Sequence, residues 1–318
     1  MVWLARWTLV ALAGGSGCAH APAKPASAPD DCDPADRGAP AVATVERVER
    51  VPTRPGVTVP VLVREPAGPP HAVVLLYPGG GGHLALTAAG LGRGADNFTV
   101  RTRGEFARAG LVAVVVDAPS DHRESLSAFR ITTDAAQDTA KLAEWAAARW
   151  QRPVWLIGTS RGTISVGNAA SRGVAVQGIV LTSSVTTGAR ERATLGDVAV
   201  EHIAVPTLLV HHAQDGCNAS PLAGAVTLRA RLVNAPEVSW REISGGKTCH
   251  RAAECSPRSH HGYLGQDVEV VGIITDYLRN VTTASDLVHE RRPAARAATG
   301  ARGLEVDAAG SVAPRSRR

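Results

Sequence analysis

Between residues 44 and 281, short apolar runs rich in β-branched residues alternate with longer amphipathic segments. Runs of that kind pair into a mostly parallel sheet, and the segments between them become helices that cover both faces. Strands are expected at 57–63, 72–77, 111–117, 154–158, 178–182, 206–211 and 237–243, and helices at 98–109, 133–150, 161–171, 221–233 and 266–280. In the longest of these, Ala135, Leu142, Trp145, Ala146 and Trp150 fall mostly at helical spacing, as in a helix resting on a sheet. No repeat occurs and the connections are too short to mark a second domain.

Composition narrows the class. With 44% hydrophobic and 20% charged residues the chain reads as globular, and its 32 glycines show no G-X-Y period, which excludes fibrous, wholly disordered and polytopic membrane classes. The formal charge of +5 invites a nucleic-acid reading, but residues 283–318 carry seven arginines against four acids and so hold +3 of it. The body is nearly neutral, and nucleic acid is not an expected partner.

The two ends differ from the body. Arg6, the short apolar run Trp7–Ala13 and the small residues before Cys18 have the parts of an export signal, too short for a permanent membrane span. Small residues directly before a cysteine also resemble the bacterial lipoprotein box, in which that cysteine is acylated; the box usually has an apolar residue where Gly15 stands. Residues 1–17 are therefore expected to be a signal peptide, with Cys18 the candidate acylation site or the signal simply cleaved. Residues 18–43 form an Ala/Pro-rich linker and 282–318 an Arg/Ala-rich tail, both expected to be disordered. The expected location is the bacterial cell envelope, periplasmic or lipid-anchored, or the medium.

The chemistry begins at Gly158-Thr-Ser160-Arg-Gly162, a G-x-S-x-G placed at the end of a buried strand and the start of a helix. That context gives the motif meaning, because paired glycines allow the sharp turn that exposes a serine hydroxyl before a helix N-terminus. A second feature, Pro78-Gly-Gly-Gly-Gly82, ends the strand at 72–77 and lacks the Gly-Lys-Ser/Thr of a phosphate loop. Its backbone N–H groups, in the Gly80/Gly81 region, suit an oxyanion hole with the N–H of Arg161. The sequence does not choose among Gly80, Gly81 and Gly82.

A serine nucleophile needs a base, and the base an orienting acid. Asp215 follows the strand at 206–211, and His260-His261-Gly262 closes the loop before the last helix, which is the chain order of a nucleophile-elbow enzyme. Asp215 and His261 are the expected partners of Ser160, His261 being preferred to His260 because a His-Gly pair usually stands there.

At these residues the chain resembles the α/β-hydrolase superfamily over about residues 44–281. More narrowly it is similar to little-characterised bacterial α/β hydrolases that share Pro78–Gly82, the Asp117–Asp121 stretch, Gly-Thr-Ser-Arg-Gly-Thr at 158–163 and His-His-x-x-Asp-x-Cys at 211–217. The resemblance implies the α/β-hydrolase fold and a Ser-His-Asp mechanism without cofactor, and it names no substrate. Tyr263 departs from the Phe that such chains tend to have, a change that leaves the triad intact.

Several residues carry competing readings. His211, His212, Cys249 and His250 join the site residues in offering zinc ligands, but there is no H-E-x-x-H, and cysteines of an exported chain favour disulfides, so no metal is expected. Without Cys18, the four remaining cysteines allow three pairings. Cys217–Cys255 would tie the acid loop to the base loop and leave Cys32 with Cys249. Asp117 and Asp121 could line the pocket but better suit capping or turn roles, and Asp117, which precedes the serine, fits the acid less well than Asp215; His83 could touch substrate or be merely exposed, and His250 and Arg251 read as surface. Only about twenty residues, 183–205, are available for a lid, so a minimal cap and a soluble ester or other small acyl substrate are expected. The competing functions are a non-catalytic envelope binding protein on the same fold, and a peptidase or acyltransferase with the same triad.

Overall fold

Ala72–Tyr77 and Leu111–Val116 are apolar at every position, so neither face of these strands can meet water. The computed structural model covers both faces. It describes residues 46–188 and 192–290, with side chains as far as Thr282.

Eight strands form one sheet: β1 Glu46–Arg54, β2 Val57–Arg64, β3 Ala72–Tyr77, β4 Leu111–Val116, β5 Val154–Thr159, β6 Gly178–Thr182, β7 Thr207–His212 and β8 Val238–Ile243. Their order is β1-β2-β4-β3-β5-β6-β7-β8. β2 runs antiparallel to β1 and β4, and every other pairing is parallel. β1 is an addition to the sequence reading. Its run of charged residues, with Val51 alone buried, has no apolar stripe to find, which is tolerable because the strand is an edge.

The helices are α1 Phe98–Arg101, α2 Arg103–Arg108, α3 Thr133–Trp150, α4 Gly162–Ser171, α5 Leu222–Arg231 and α6 Asp267–Glu290. The single helix expected at 98–109 is two, parted at Thr102, whose hydroxyl donates 2.6 Å to the Phe98 carbonyl. α6 runs to Glu290, so 282–290 are helical where the sequence reading begins the tail. Residues 1–45 and 291–318, with the expected signal, Cys18, Cys32, linker and remaining tail, lie outside the described residues.

Period-two alternation along the strands sorts the core into two layers. Val73, Leu75, Val112, Val114 and Leu156 pack with Leu142, Ala146 and Ile164 of α3 and α4. Val74, Leu76, Val115, Trp155 and Ile157 pack with Phe98, Phe106, Val270 and Ile274 of α1, α2 and α6. Each fully buried Val, Leu or Ile contributes about 1.5–3 kcal/mol. Chain order reverses between β3 and β5, and a crevice opens there beyond the carboxyl ends of the strands. Among the described residues the β6–β7 connection holds only two short 3-10 turns, Leu195–Asp197 and Val200–His202.

Candidate active site

Ser160 stands between β5 and α4 with φ +50°, a left-handed conformation that costs a non-glycine residue on the order of 1–3 kcal/mol. The turn is closed by Ser160 N–H donating to Thr182 O at 2.9 Å and Thr163 N–H to Ser160 O at 3.0 Å. The flanking glycines are dictated by contact: a Cβ on Gly158 would lie 2.6 Å from Gly162 O, and one on Gly162 would collide with Tyr77 O. Gly79 is equally confined, since its Cβ would sit 2.9 Å from Ser160 Cβ. The elbow therefore presses against the glycine loop after β3.

The loops after β7 and β8 bring Asp215 and His261 together. Asp215 Oδ2 lies 2.9 Å from His261 Nδ1, and Oδ1 accepts from Cys217 N–H at 2.9 Å. Burial pushes the Asp215 carboxyl up, but the hydrogen bond and charge of His261, the Cys217 N–H and the Ser220 hydroxyl outweigh it and hold the pKa below the ordinary value. With Nδ1–H donating to this carboxylate, Nε2 carries the lone pair. Nε2 is buried and has no hydrogen-bond partner among the described residues.

His260 stacks on His212 at 4.5 Å between ring centroids. His212 Nδ1 accepts from Gln214 N–H, so its Nε2 is the donor to Gly245 O and Gln266 Oε1. Tyr263, at φ +58° and fully buried, uses the hydroxyl a Phe would lack: it donates to Val210 O at 2.9 Å and accepts from Ser183 N–H at 3.1 Å. Ser183 Oγ in turn donates to His261 O at 2.8 Å, fixing the base loop to the ends of β6 and β7.

In the glycine loop Gly80 and Gly82 have φ +61° and +78°. Among the described residues the N–H groups of Gly80, Gly81 and Arg161 donate to no protein acceptor, whereas the Gly81 carbonyl accepts from Leu126 N–H at 3.1 Å. Asp117, buried at the end of β4, accepts from Leu84, Leu86 and Ala118 N–H and so anchors the chain after the loop, the capping role expected of it. His83, half-buried, lines the cleft beside Ser160, while His250 and Arg251 are exposed as expected.

Two participants escaped the sequence reading. Ser220 Oγ donates to Asp215 Oδ2 at 2.9 Å and lies 3.0 Å from His261 Nδ1. Arg130, 1% exposed, donates from Nη2 to Pro78 O at 3.1 Å and Gly80 O at 3.4 Å, and from Nη1 to Ser165 Oγ at 2.8 Å. Burial, and then the charge of Arg161, push its pKa down to about 9. Neither position has a local signature: Arg130 reaches residues far along the chain, and Ser220, close to Asp215 in sequence, is an ordinary polar residue of its loop.

Two clefts meet at Ser160. One, about 350 Å³, is lined by Gly79–Gly82, Asn97, Ser160 and His261; the other, about 570 Å³, by Arg161, Val185, Arg192 and Ala219. Cys255 borders both, in a disulfide with Cys217 that ties the acid loop to the base loop. Cys249 is also disulfide-bonded; Cys32, its expected partner, lies outside the described residues. Asp215, Cys217 and His261 place ligand-type atoms within 4.8 Å of one another, but the Cys217 sulfur is spent in the disulfide and cannot serve as a thiolate ligand.

No family model matches the chain, and no curated protein does. Solved structures do. A dienelactone hydrolase from Anabaena variabilis is 16% identical with a TM-score of 0.53, covering 74% of this chain and 98% of its own. An α/β serine hydrolase without a lid from Xanthomonas campestris is 13% identical with a TM-score of 0.51, covering 76% and 97%. An α/β serine hydrolase homologue from Coxiella burnetii is 16% identical with a TM-score of 0.50, covering 74% and 97%. With the eight-stranded order and the turn at Ser160, these likenesses establish that this chain has the α/β-hydrolase fold.

Proposed function

We propose that the chain is an exported serine hydrolase that cleaves carboxylic esters through an acyl-enzyme. The observation that carries the reading is the His261 ring, held by Asp215 at Nδ1 with an unpartnered Nε2 beside the cleft of Ser160. In this mechanism Nε2 takes the Ser160 proton as Oγ attacks the ester carbonyl, and Asp215 stabilises the imidazolium so formed. The unpaired N–H groups of Gly80, Gly81 and Arg161 meet the tetrahedral oxyanion. The C–O bond to the alcohol then breaks, the proton passes from Nε2 to the departing alkoxide, and water repeats the sequence to release the acid.

The short β6–β7 connection favours small accessible esters over long lipids. Export is supported by two disulfide-bonded sites, at Cys217–Cys255 and Cys249, and the reading places the protein in the bacterial envelope, with Cys18 available for lipid. Among the described residues no helix is long and apolar enough to cross a membrane.

Hydrolysis of p-nitrophenyl acetate and butyrate tests the reading. The wild-type chain is expected to turn them over, and Ser160→Ala to lower kcat by about 1,000-fold or more. Ester cleavage retained in Ser160→Ala would overturn it.

A further inference from the structure

Arg161 and Arg192 line the larger cleft beside Ser160, and no Asp or Glu among the described residues does. Arg161 is half-buried, and its Nε and Nη2 are closed to solvent with no hydrogen-bond partner. Arg192 is exposed and makes no ion pair with any described residue. Buried donors of a charged group left unpaired are expensive, and two guanidinium groups facing one space repel each other. Burial, and then the charge of Arg192, hold the Arg161 pKa below its ordinary value, the direction repulsion demands. An anion in the cleft would relieve that repulsion. A carboxylate matches the planar guanidinium fork.

We propose that this cleft binds a carboxylate carried by the substrate, so that the preferred substrates are anionic esters such as monoesters of short dicarboxylic acids. The inference rests on Ser160 being the acylating nucleophile, because the cleft borders that residue. It assigns the Arg161 side chain a second duty beside its backbone N–H, and gives Arg192 one.

Two pairs of esters test it. p-Nitrophenyl hemisuccinate and its methyl ester place the charge on the acyl side; O-butyryl glycolate and its methyl ester place it on the alcohol side. In at least one pair the anionic member is expected to have the higher kcat/KM, by about 10- to 100-fold. Arg192→Gln should lower that ratio by about tenfold or more, and Arg192→Lys should retain part of it. Equal or better use of the neutral ester in both pairs, or a ratio unmoved by Arg192→Gln, overturns the proposal.

Calorimetric binding of monomethyl succinate to Ser160→Ala, with thermal unfolding as a check on folding, separates this inference from the hydrolase reading. Binding that weakens in Ser160→Ala/Arg192→Gln supports the anion site even if no ester is turned over. Absence of binding at millimolar ligand, with neutral esters still cleaved by the wild type, removes the anion site and leaves the hydrolase.

Discussion

The Arg130 guanidinium donates 3.1 Å to the Pro78 carbonyl, and thereby holds the glycine loop from beneath. The same Nη2 reaches Gly80 O at 3.4 Å, and a Cβ on Gly82 would collide with it. Loop carbonyls drawn toward Arg130 leave the N–H groups of Gly80 and Gly81 for the cleft. Arg130→Met keeps the apolar volume and deletes the donors. It is expected to lower kcat by about 10- to 100-fold with little change in KM, since an oxyanion contact matters most in the transition state. Steady-state kinetics on a neutral ester measure this; a rise in KM at unchanged kcat would contradict it.

Acid should loosen the site in two stages. Burial holds the His211 and His212 pKa values below the ordinary 6.5, so the unfolded chain binds protons there first and stability declines as pH falls below about 6.5. Asp215 is depressed below 3.8, so its contribution is present above that pH and is lost as pH falls through the folded value. His211→Asn is expected to flatten the fall in unfolding midpoint between pH 6.5 and 5, and Asp215→Asn the fall below pH 4. Asp215→Asn should also lower kcat at neutral pH by on the order of 10⁴, because its amide cannot stabilise the imidazolium. Unfolding midpoints across pH, with kcat at pH 7.5, check both.

Cys217 and Cys255 close a loop with a sequence separation of 38. Replacing both by serine is expected to destabilise the protein by about 2–4 kcal/mol. Because the bridge joins the loops of Asp215 and His261, kcat should fall as well, even below the unfolding transition. Denaturant titration and ester kinetics on the double variant read the two effects; an unchanged kcat would mean that the 2.9 Å Asp215–His261 contact alone holds the geometry.

Much of the fold was legible because a strand buried on both faces announces itself. Ala72–Tyr77 and Gly178–Thr182 match their expected bounds at both ends, and α3 does so over Thr133–Trp150, where a Thr132 cap accepting from Ala135 N–H sets the start. What escaped has no local pattern. β1 is written in Glu and Arg because an edge strand tolerates charge, and no single residue marks the break at Thr102. At the candidate site, Ser160, Asp215 and His261 could be singled out from their order along the chain, since each follows a strand, and the structure brings Asp215 to His261. Arg130 could not, because only the folded chain brings it to Pro78, and Ser220 could not, because nothing in its local sequence marks it although it stands close to Asp215.

Ser160 is proposed here as an activated nucleophile. A fluorophosphonate probe applied to the folded chain without residues 1–17, followed by mass mapping, tests it most directly. One phosphonylated peptide is expected, modified at Ser160 and unlabelled in both Ser160→Ala and the native chain after heat unfolding. A folded protein that stays unlabelled, or one labelled equally in Ser160→Ala, would contradict it.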